Sequence, residues 1–516
     1  MAEKKEVIIT PKEEFAYGHI IEALAGGLYP NKFHVIREYI QNAFDAVVNF
    51  KKTRRSKKKL SISISIQKPS IFIFDNGTGM NQRTINEYRK IGFSKKMMGE
   101  FAGFRGIGKL AGISVAKKLI IKTSPYGEKK RYILSFNADG MLHEIGELKK
   151  QRENIPLNNL IAKYTALKTE SEKKTEHFTM VELQEIRQDS TILFNDTKII
   201  DYLSRNVPVP FNPEFDYAED IEDDIKKFVN DYDCVPISMN GHDVFKPFTK
   251  NLKPPKHIII WDNRQTDTIR GFCWYCENKA KGQIKPTDIS GLVYRYKNFA
   301  VGDNYLTRKA IWNTSEHLAF YFMGEIHVTD PNIVPTSQRD DFEQSIARDS
   351  FYKEGTKKIV PELNRIAYTS SGIRRATEFI NKGSDTVSQI EGEFKKGELH
   401  LRELSVEKIT QLSNVITDIQ KREKNIPLND KKTKRKAARV VNKAKKLLEE
   451  FEEDKETIES KFNITKKLKL NKQGADVYAI AIKVLKDVFV GKPDELEKII
   501  KIFQQKLIKH FLNQRK

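Results

Sequence analysis

Apolar residues recur at helical spacing between residues 33 and 50. Val35, Ile36, Tyr39, Ile40, Ala43, Phe44 and Val47 share one face of a helical period. The spacing predicts a helix there, with another over 14–29 before it. The period then switches to two: Leu60, Ile62, Ile64 and Ile66 alternate with Ser61, Ser63 and Ser65, the pattern of a strand with one buried face. A second strand, 71–74, runs straight into the polar segment DNGTGM. A helix over about 81–90 follows. The stretch SKKMMGEFAGFRGIG then opens another helix near Lys109. Residues 119–122, 131–136 and 178–183 read as strands, and a Lys-rich loop region covers about 148–176. Together these elements predict an α+β fold, a mixed sheet covered by helices.

Strand-like runs return at 257–261, 268–276, 291–296 and 322–328. They predict an α/β middle, transducer-like domain over 191–370, after a first domain over 1–190. Residues 371–516 contain little Gly, few aromatics and long charged amphipathic segments, so an all-α region is expected there. Its segment KNIPLND, 424–430, reads as a break between helices. Leu401, Leu404, Ile409, Leu412, Val415 and Ile416 are heptad-like but drift from a strict coiled-coil repeat. There is no internal repeat.

Composition narrows the class. The 516 residues suit about three domains at roughly 150 residues each. There are 91 Lys plus Arg against 69 Asp plus Glu, a net charge of +22. Such a balance fits either a polyanion partner or solvated helix faces. Two clusters stand out: KKTRRSKKK, from Lys51 to Lys59, and KKTKRKAARVVNKAKK, from Lys431 to Lys446. No apolar window of about 18 residues exists, so neither a membrane-spanning helix nor a membrane partner is expected. The start MAEKKEVIIT lacks the apolar core of a secretory signal. Three cysteines exclude a disulfide framework, and the expected compartment is the cytoplasm.

Three short motifs within the first 110 residues carry candidate chemistry. Glu38, Asn42 and Asp45 stand at i, i+4 and i+7, so a helix places them in one row. An amide oxygen such as that of Asn42 can ligate Mg²⁺, and a carboxylate such as Glu38 can orient and deprotonate water. The plain alternative is a polar helix face wetted by solvent. Asp75 ends a strand and begins D-N-G-T-G-M. Its carboxylate could accept from the exocyclic amine of a base, while Gly77 and Gly79 allow positive φ and close approach to a ligand. The same residues also make an ordinary turn. Gly103-Phe104-Arg105-Gly106-Ile107-Gly108-Lys109 opens a helix and can present backbone N–H groups to an anion. It is not a Walker A loop: Leu110 stands where a Ser or Thr is required, and no strand precedes it.

The order and spacing of these motifs resemble the GHKL superfamily of ATPases. That superfamily includes gyrase-type topoisomerases, heat-shock protein 90-like chaperones, sensor histidine kinases, and MutL-type and MORC-type proteins. The heat-shock protein 90-like and MORC-like members are the nearest in pattern. Glu38, Asn42 and Asp45 match the family's N-box, and Asp75, Gly77 and Gly79 match its D-x-G-x-G. Gly103, Gly106 and Gly108 match its second glycine box, with a lid over about 91–107. Ser94 and Thr179 stand where the family has a lid serine and a base-side threonine. The likeness covers about 15–185 and implies a left-handed βαβ (Bergerat) site for ATP and Mg²⁺. By that resemblance Asn42 holds the metal, Glu38 activates water, and Asp75 and Thr179 read adenine. Met80, Arg105, Ile107 and Lys109 fall inside the nucleotide-binding motifs. A weaker likeness covers GEIHVTDPNIVPTSQRDDFE, 324–343, in which the family's middle domain sends a cation to the γ-phosphate. Arg339 is the candidate. Its alternative is simple pairing with Asp340, Asp341 or Glu343.

The resemblance implies hydrolysis of ATP to ADP and phosphate by a homodimeric, chaperone-like clamp acting on a protein client or partner subunit. The alternative is a DNA- or RNA-associated clamp of the MutL or MORC type, with nucleic acid on the two basic clusters. A fold-level analogy extends that alternative to bacterial antiviral defence. A histidine kinase is disfavoured, because the roughly 30 residues before the N-box are too few for a phosphoacceptor hairpin. Cys273 and Cys276 form a C-x-x-C, but residues three apart in a strand face opposite ways, so an apolar strand is expected and not a zinc site. His327 reads as an ordinary strand residue.

Overall fold

Two opening helices, α1 (His19–Gly26) and α2 (Phe33–Thr53), set the first core. α2 buries Val35, Ile36, Tyr39, Ile40, Phe44 and Val47. Full burial of a large apolar side chain contributes roughly 1.5–3 kcal/mol, so α2 cannot roll without losing several such contacts. Lys51 and Lys52 lie in its last turn, where cations complement the helix dipole. The computed structural model describes residues 17–26, 29–54, 59–90, 108–248, 250–263, 268–395, 402–428, 430–461, 472–489 and 493–513. They fall into two units, Met1–Ala367 and Tyr368–Lys516.

Against α2 lies a sheet of β1 (Ile62–Gln67), β2 (Ser70–Asp75), β3 (Ala116–Ser124), β4 (Lys130–Asn137), β5 (Thr165–Ser171), β6 (Phe178–Ile186), β7 (Ile237–Met239) and β8 (His242–Val244). Its order is β5-β4-β3-β6-β2-β1-β7-β8. Every pair is antiparallel except β1 with β7. The connections carry α3 (Gln82–Tyr88), a 3-10 turn (Gly108–Ser114), α4 (Ala138–Gln151) and α5 (Leu157–Tyr164). α6 (Asp196–Asn206) and α7 (Ala218–Phe228) precede β7, so strands well beyond residue 190 complete this sheet.

The region 148–176, expected to be loop, instead holds the end of α4, all of α5 and β5. α5 buries Leu160 and Ile161 through a single short turn of apolar residues. β5 is an edge strand with mostly exposed side chains, so it lacks the alternation that marks a half-buried strand. Its ladder to β4 and the ion pairs from Arg131 to Glu170 and Glu172 hold it in place.

A second, five-stranded sheet follows in the same unit: β9 (Lys256–Asn263), β10 (Thr268–Glu277), β11 (Gly291–Tyr296), β12 (Phe299–Val301) and β13 (Phe322–Val328), in the order β12-β11-β13-β10-β9. α8 (Asn304–Thr307) and α9 (Ile346–Lys358) accompany it. Cys273 packs into the core on one face of β10 and Cys276 into the core on the other. His327 is buried in β13 beside Glu325, whose carboxylate also accepts from Lys246 at 2.8 Å and Arg295 at 2.8 Å.

In the second unit, the C-terminal part of α10 (Val360–Lys395) packs with α11 (Arg402–Glu423) and α12 (Lys431–Lys461) around Ile380, Val387, Leu412, Ile419, Val440 and Leu447. The break expected at 424–430 lies between α11 and α12. α13 (Lys472–Val488) and α14 (Pro493–Asn513) follow, with Tyr478 stacked on Phe503 at 6.0 Å. Among the described residues no helix is long and apolar enough to cross a membrane.

Candidate active site

The buried face of the first sheet turns polar at one level. Along β2, Ile71, Ile73 and Asp75 share that face, because every second side chain points the same way. Asp75 pairs across to Thr179 of β6, and Thr179 pairs across to Thr123 of β3. Directly opposite residues of antiparallel strands share a face, so one carboxylate and two hydroxyls form a row across three strands. The threonine hydroxyls lie 3.2 Å apart, and the Thr123 hydroxyl donates to the Phe178 carbonyl at 2.9 Å. Thr123 was not singled out from the sequence. Only its register opposite Thr179 reveals it.

The segment after Asp75 is pinned to α2 and β3. The Gly77 N–H donates to Asp75 Oδ1 at 2.9 Å, and the Thr78 N–H to the Ala46 carbonyl at 3.3 Å. The Met80 N–H donates to Thr123 Oγ1 at 2.8 Å. His177, stacked on Phe50 at 4.2 Å, bonds the Gly77 carbonyl at 2.8 Å. A Cβ on Gly77 would lie 2.6 Å from the Ala46 backbone, and one on Gly79, at φ +63°, would lie 1.9 Å from the Ser124 carbonyl oxygen. Only glycine fits either place. Asp75 is buried, and burial pushes its carboxyl up to about 7, with the Gly77 N–H acting in the opposite direction.

α2 supplies the facing wall. Glu38 has 14% of its side chain exposed, Asn42 is half-buried and Asp45 is buried. Gly108 abuts the Glu38 carboxylate: a Cβ there would lie 2.0 Å from Glu38 Oε2. The turn that follows is anchored to α2, since Tyr39 OH donates to the Lys109 carbonyl at 3.4 Å and accepts from the Gly112 N–H at 2.7 Å. The Lys109 ammonium reaches the Glu87 carbonyl at 3.3 Å and lies over the Tyr88 ring at 5.9 Å. Burial lowers its pKa to about 8. Ser94, Gly103, Arg105, Gly106 and Ile107, with the rest of the lid over 91–107, lie outside the described residues. So do residues 55–58 of the first basic cluster.

The collision at Gly108 is with the far end of a flexible side chain, whereas those at Gly77 and Gly79 are with backbone. Gly108→Ala is therefore expected to fold normally while displacing the Glu38 carboxylate, with the melting temperature held and the ATP turnover that the family resemblance implies lowered at least about tenfold. Phosphate release and a thermal melt check this. Unchanged turnover would mean that the position of Glu38 does not matter.

Arg339 reaches the same wall from the second sheet's side of the unit. It sits in the turn of a short hairpin, at φ +54°, with its carbonyl accepting the Gly302 N–H at 2.6 Å and Pro335 bridged to Phe342. Its guanidinium is buried and lies over the Phe299 ring at 5.3 Å, and Phe299 in turn packs edge-on against Phe44 of α2 at 5.3 Å. Burial and the nearby Arg37 lower its pKa, while Glu38, Tyr296 and Asp45 act the other way. It nonetheless stays a cation, as arginine does in proteins. Arg37 was also missed in the sequence. It is buried on α2, donates to the Gln338 carbonyl at 2.9 Å and lies 3.5 Å from Glu38 Oε1. It thus ties the carboxylate to the hairpin that carries Arg339. Of its neighbouring acids, Asp340 accepts from Thr336 at 2.5 Å and Asp341 from Tyr352 at 2.5 Å.

The set fits a purine nucleotide carrying Mg²⁺. A buried carboxylate, costly when ionised, waits for a donor. Glycines leave room where a Cβ would collide. An amide oxygen, a carboxylate and two guanidinium groups gather at the other end. Among the described residues no group of three or more His, Cys, Asp and Glu could hold a metal.

Comparisons with known proteins agree with this architecture. Residues 31–176 match the family described as histidine kinase-, DNA gyrase B-, and HSP90-like ATPase. The chain is 26% identical over 156 residues to the chaperone protein HtpG of Helicobacter hepaticus, covering 26% of this chain and 25% of that protein. It is 28% identical over 145 residues to HtpG of a Sulfurovum species, covering 24% and 23%. It is 28% identical over 156 residues to HtpG of Campylobacter jejuni, covering 26% and 25%. The chain thus spans about a quarter of the length of the curated relatives it matches. With its buried aspartate, paired glycines and N-box helix, the domain over 31–176 belongs to the GHKL superfamily and is HtpG-like in sequence.

Proposed function

We propose that this chain is an ATP-hydrolysing conformational clamp of the heat-shock protein 90-like kind. What supports the reading is that α2 carries Glu38 and Asn42 against the sheet that holds Asp75, and that Arg37, 3.5 Å from Glu38, bonds the Gln338 carbonyl beside Arg339 at 2.9 Å. Asp75 accepts from the adenine amine, with Thr179 and Thr123 beside it. Gly77 and Gly79 let the base lie against the backbone. Asn42 holds Mg²⁺, which when bound neutralises phosphate charge. Glu38 takes the proton of the attacking water, and Arg339 stabilises the charge that develops on the transferred phosphoryl. Because Arg37 bonds the Gln338 carbonyl, any movement of the 335–342 hairpin is felt at Glu38. That link lets nucleotide state drive a shape change.

The proposed client is a protein, and the proposed assembly a homodimer. A stripe on α13 supports the second: Val477, Ile480, Val484 and Val488 are 66%, 60%, 55% and 69% exposed at helical spacing. Apolar residues in such a row call for a covering surface, and a second copy supplies one.

The test is calorimetric ATP uptake with Mg²⁺, turnover, and mass with a non-hydrolysable ATP analogue. Stoichiometric uptake and slow turnover are expected, and absent uptake by folded protein overturns the reading. Arg339→Ala is expected to lower turnover about 10- to 100-fold with ADP affinity nearly unchanged. That is less than the loss of a trans-acting arginine, because Arg37 keeps a positive charge nearby. Parallel loss of ADP affinity would make Arg339 a binding residue instead.

A further inference from the structure

The basic residues of α12 are arranged against the preference of the helix itself. Residues 431–446 hold nine Lys and Arg and no Asp or Glu, whereas all seven acids of the helix lie between Glu449 and Glu459. A helix dipole favours acids near the N-terminus and bases near the C-terminus. Here the order is reversed. The cap offsets part of the cost: Asp430 accepts from the Thr433 N–H at 3.1 Å and from its hydroxyl at 2.9 Å. Folding of the unit alone does not explain the arrangement.

The apolar side of this half-helix, Ala437, Val440, Val441, Ala444 and Leu447, is buried in the unit's core. Lys432, Arg435, Arg439, Asn442 and Lys446 form one exposed row at alternating three- and four-residue steps. Two other cations serve the unit: Lys436 bonds Asn381 at 2.7 Å and Lys443 pairs with Glu391 at 2.6 Å. Lys432, Arg435, Arg439 and Lys445 have no ion-pair partner among the described residues.

We propose that this face of α12 binds nucleic acid through the phosphate backbone. Sixteen helical residues span about 24 Å, the axial length of roughly seven phosphates of one duplex strand. The row offers charge without an apolar wedge. A membrane-surface helix needs apolar residues to insert, and a protein interface centres on aromatic or aliphatic anchors. Neither stands in this row. The contacts read no bases, so binding is independent of sequence. The inference does not rest on the ATPase reading, which fails or stands by nucleotide uptake alone.

The test uses the full chain and fluorescein-labelled 20-mers of single- and double-stranded DNA and of RNA, followed by anisotropy across a salt series. Binding that weakens steeply with salt is expected. The quadruple variant Lys432→Gln, Arg435→Gln, Arg439→Gln, Lys446→Gln is expected to lose at least about tenfold in affinity at low salt and about three to four units of log–log salt slope on duplex. A control removes the same charge from exposed lysines elsewhere: Lys149→Gln, Lys150→Gln, Lys226→Gln, Lys227→Gln. It is expected to lose far less. Equal loss in the control makes the effect one of net charge and overturns the proposal. So does an absence of binding by the unaltered chain, or a row variant that binds as well as it. Tighter binding to phosphatidylserine vesicles than to nucleic acid also overturns it, as does a row variant that changes only the mass of the protein. If the quadruple variant loses helicity by circular dichroism, Arg435→Gln with Arg439→Gln decides, with about half the slope change expected.

Discussion

Glu38→Ala is expected to bind ATP at least as tightly as the unaltered chain and to hydrolyse it about 10³-fold more slowly, in the middle of the range for a positioned general base. The binding half of this expectation is electrostatic. On the proposed reading Glu38 puts a carboxylate where the triphosphate would end, so removing it relieves repulsion and loses no contact to the base or sugar. The fold has little reason to suffer. Glu38 is not in the apolar stripe of α2, and Arg37 keeps its 2.9 Å bond to the Gln338 carbonyl. ATP should therefore accumulate on the variant unhydrolysed, and calorimetry with a phosphate-release assay separates the two halves. Turnover near that of the unaltered chain would remove Glu38 from its role and leave the nucleotide site without an identified base. Loss of ATP binding would instead make Glu38 part of the binding surface.

How far the sequence reveals such a site depends on whether its residues leave a periodic trace. The helix carrying Glu38 and the strand ending in Asp75 are both strongly patterned, and their elements are where the patterns put them. The C-x-x-C was legible for the same reason: a period of two sends Cys273 and Cys276 into different cores. β5 left no trace because an edge strand need not alternate. Thr123 and His177 belong to the site's surroundings through partners 56 and 100 residues away. No local rule shows such pairings. Arg37 is the sharpest case. It looks like one more polar residue on a helix, yet its role comes from a backbone carbonyl 301 residues later. The Lys109 ammonium lies over Tyr88 and reaches the Glu87 carbonyl, contacts 21 and 22 residues back that the glycine box alone does not show.

Asp75→Asn is expected to weaken ATP binding by about 10²-fold, the upper end of the roughly 1–3 kcal/mol that leaving a buried polar group unpaired costs. The geometry explains the severity. Asp75 Oδ1 accepts the Gly77 N–H at 2.9 Å, which leaves the other oxygen for an adenine amine. An amide has one oxygen. Either its NH₂ meets the Gly77 N–H, or it meets the adenine amine, and two donors face each other in both cases. The same carboxyl makes binding depend on pH. Its folded pKa is raised by burial to about 7, above the roughly 3.9 of an unfolded aspartate. The stability this group contributes is full below about pH 4 and lost as pH rises through 7, on the order of 4 kcal/mol in all. Nucleotide binding runs the opposite way, because the ionised form accepts from the amine more strongly while its other oxygen keeps the Gly77 N–H. ATP affinity should fall about tenfold between pH 8 and pH 6, while the residual affinity of Asp75→Asn stays flat. Calorimetry at both pH values, on both proteins, tests this directly. A variant that binds ATP normally would show that Asp75 does not touch the base. A pH-independent affinity in the unaltered chain would show that the carboxylate is already ionised before the ligand arrives.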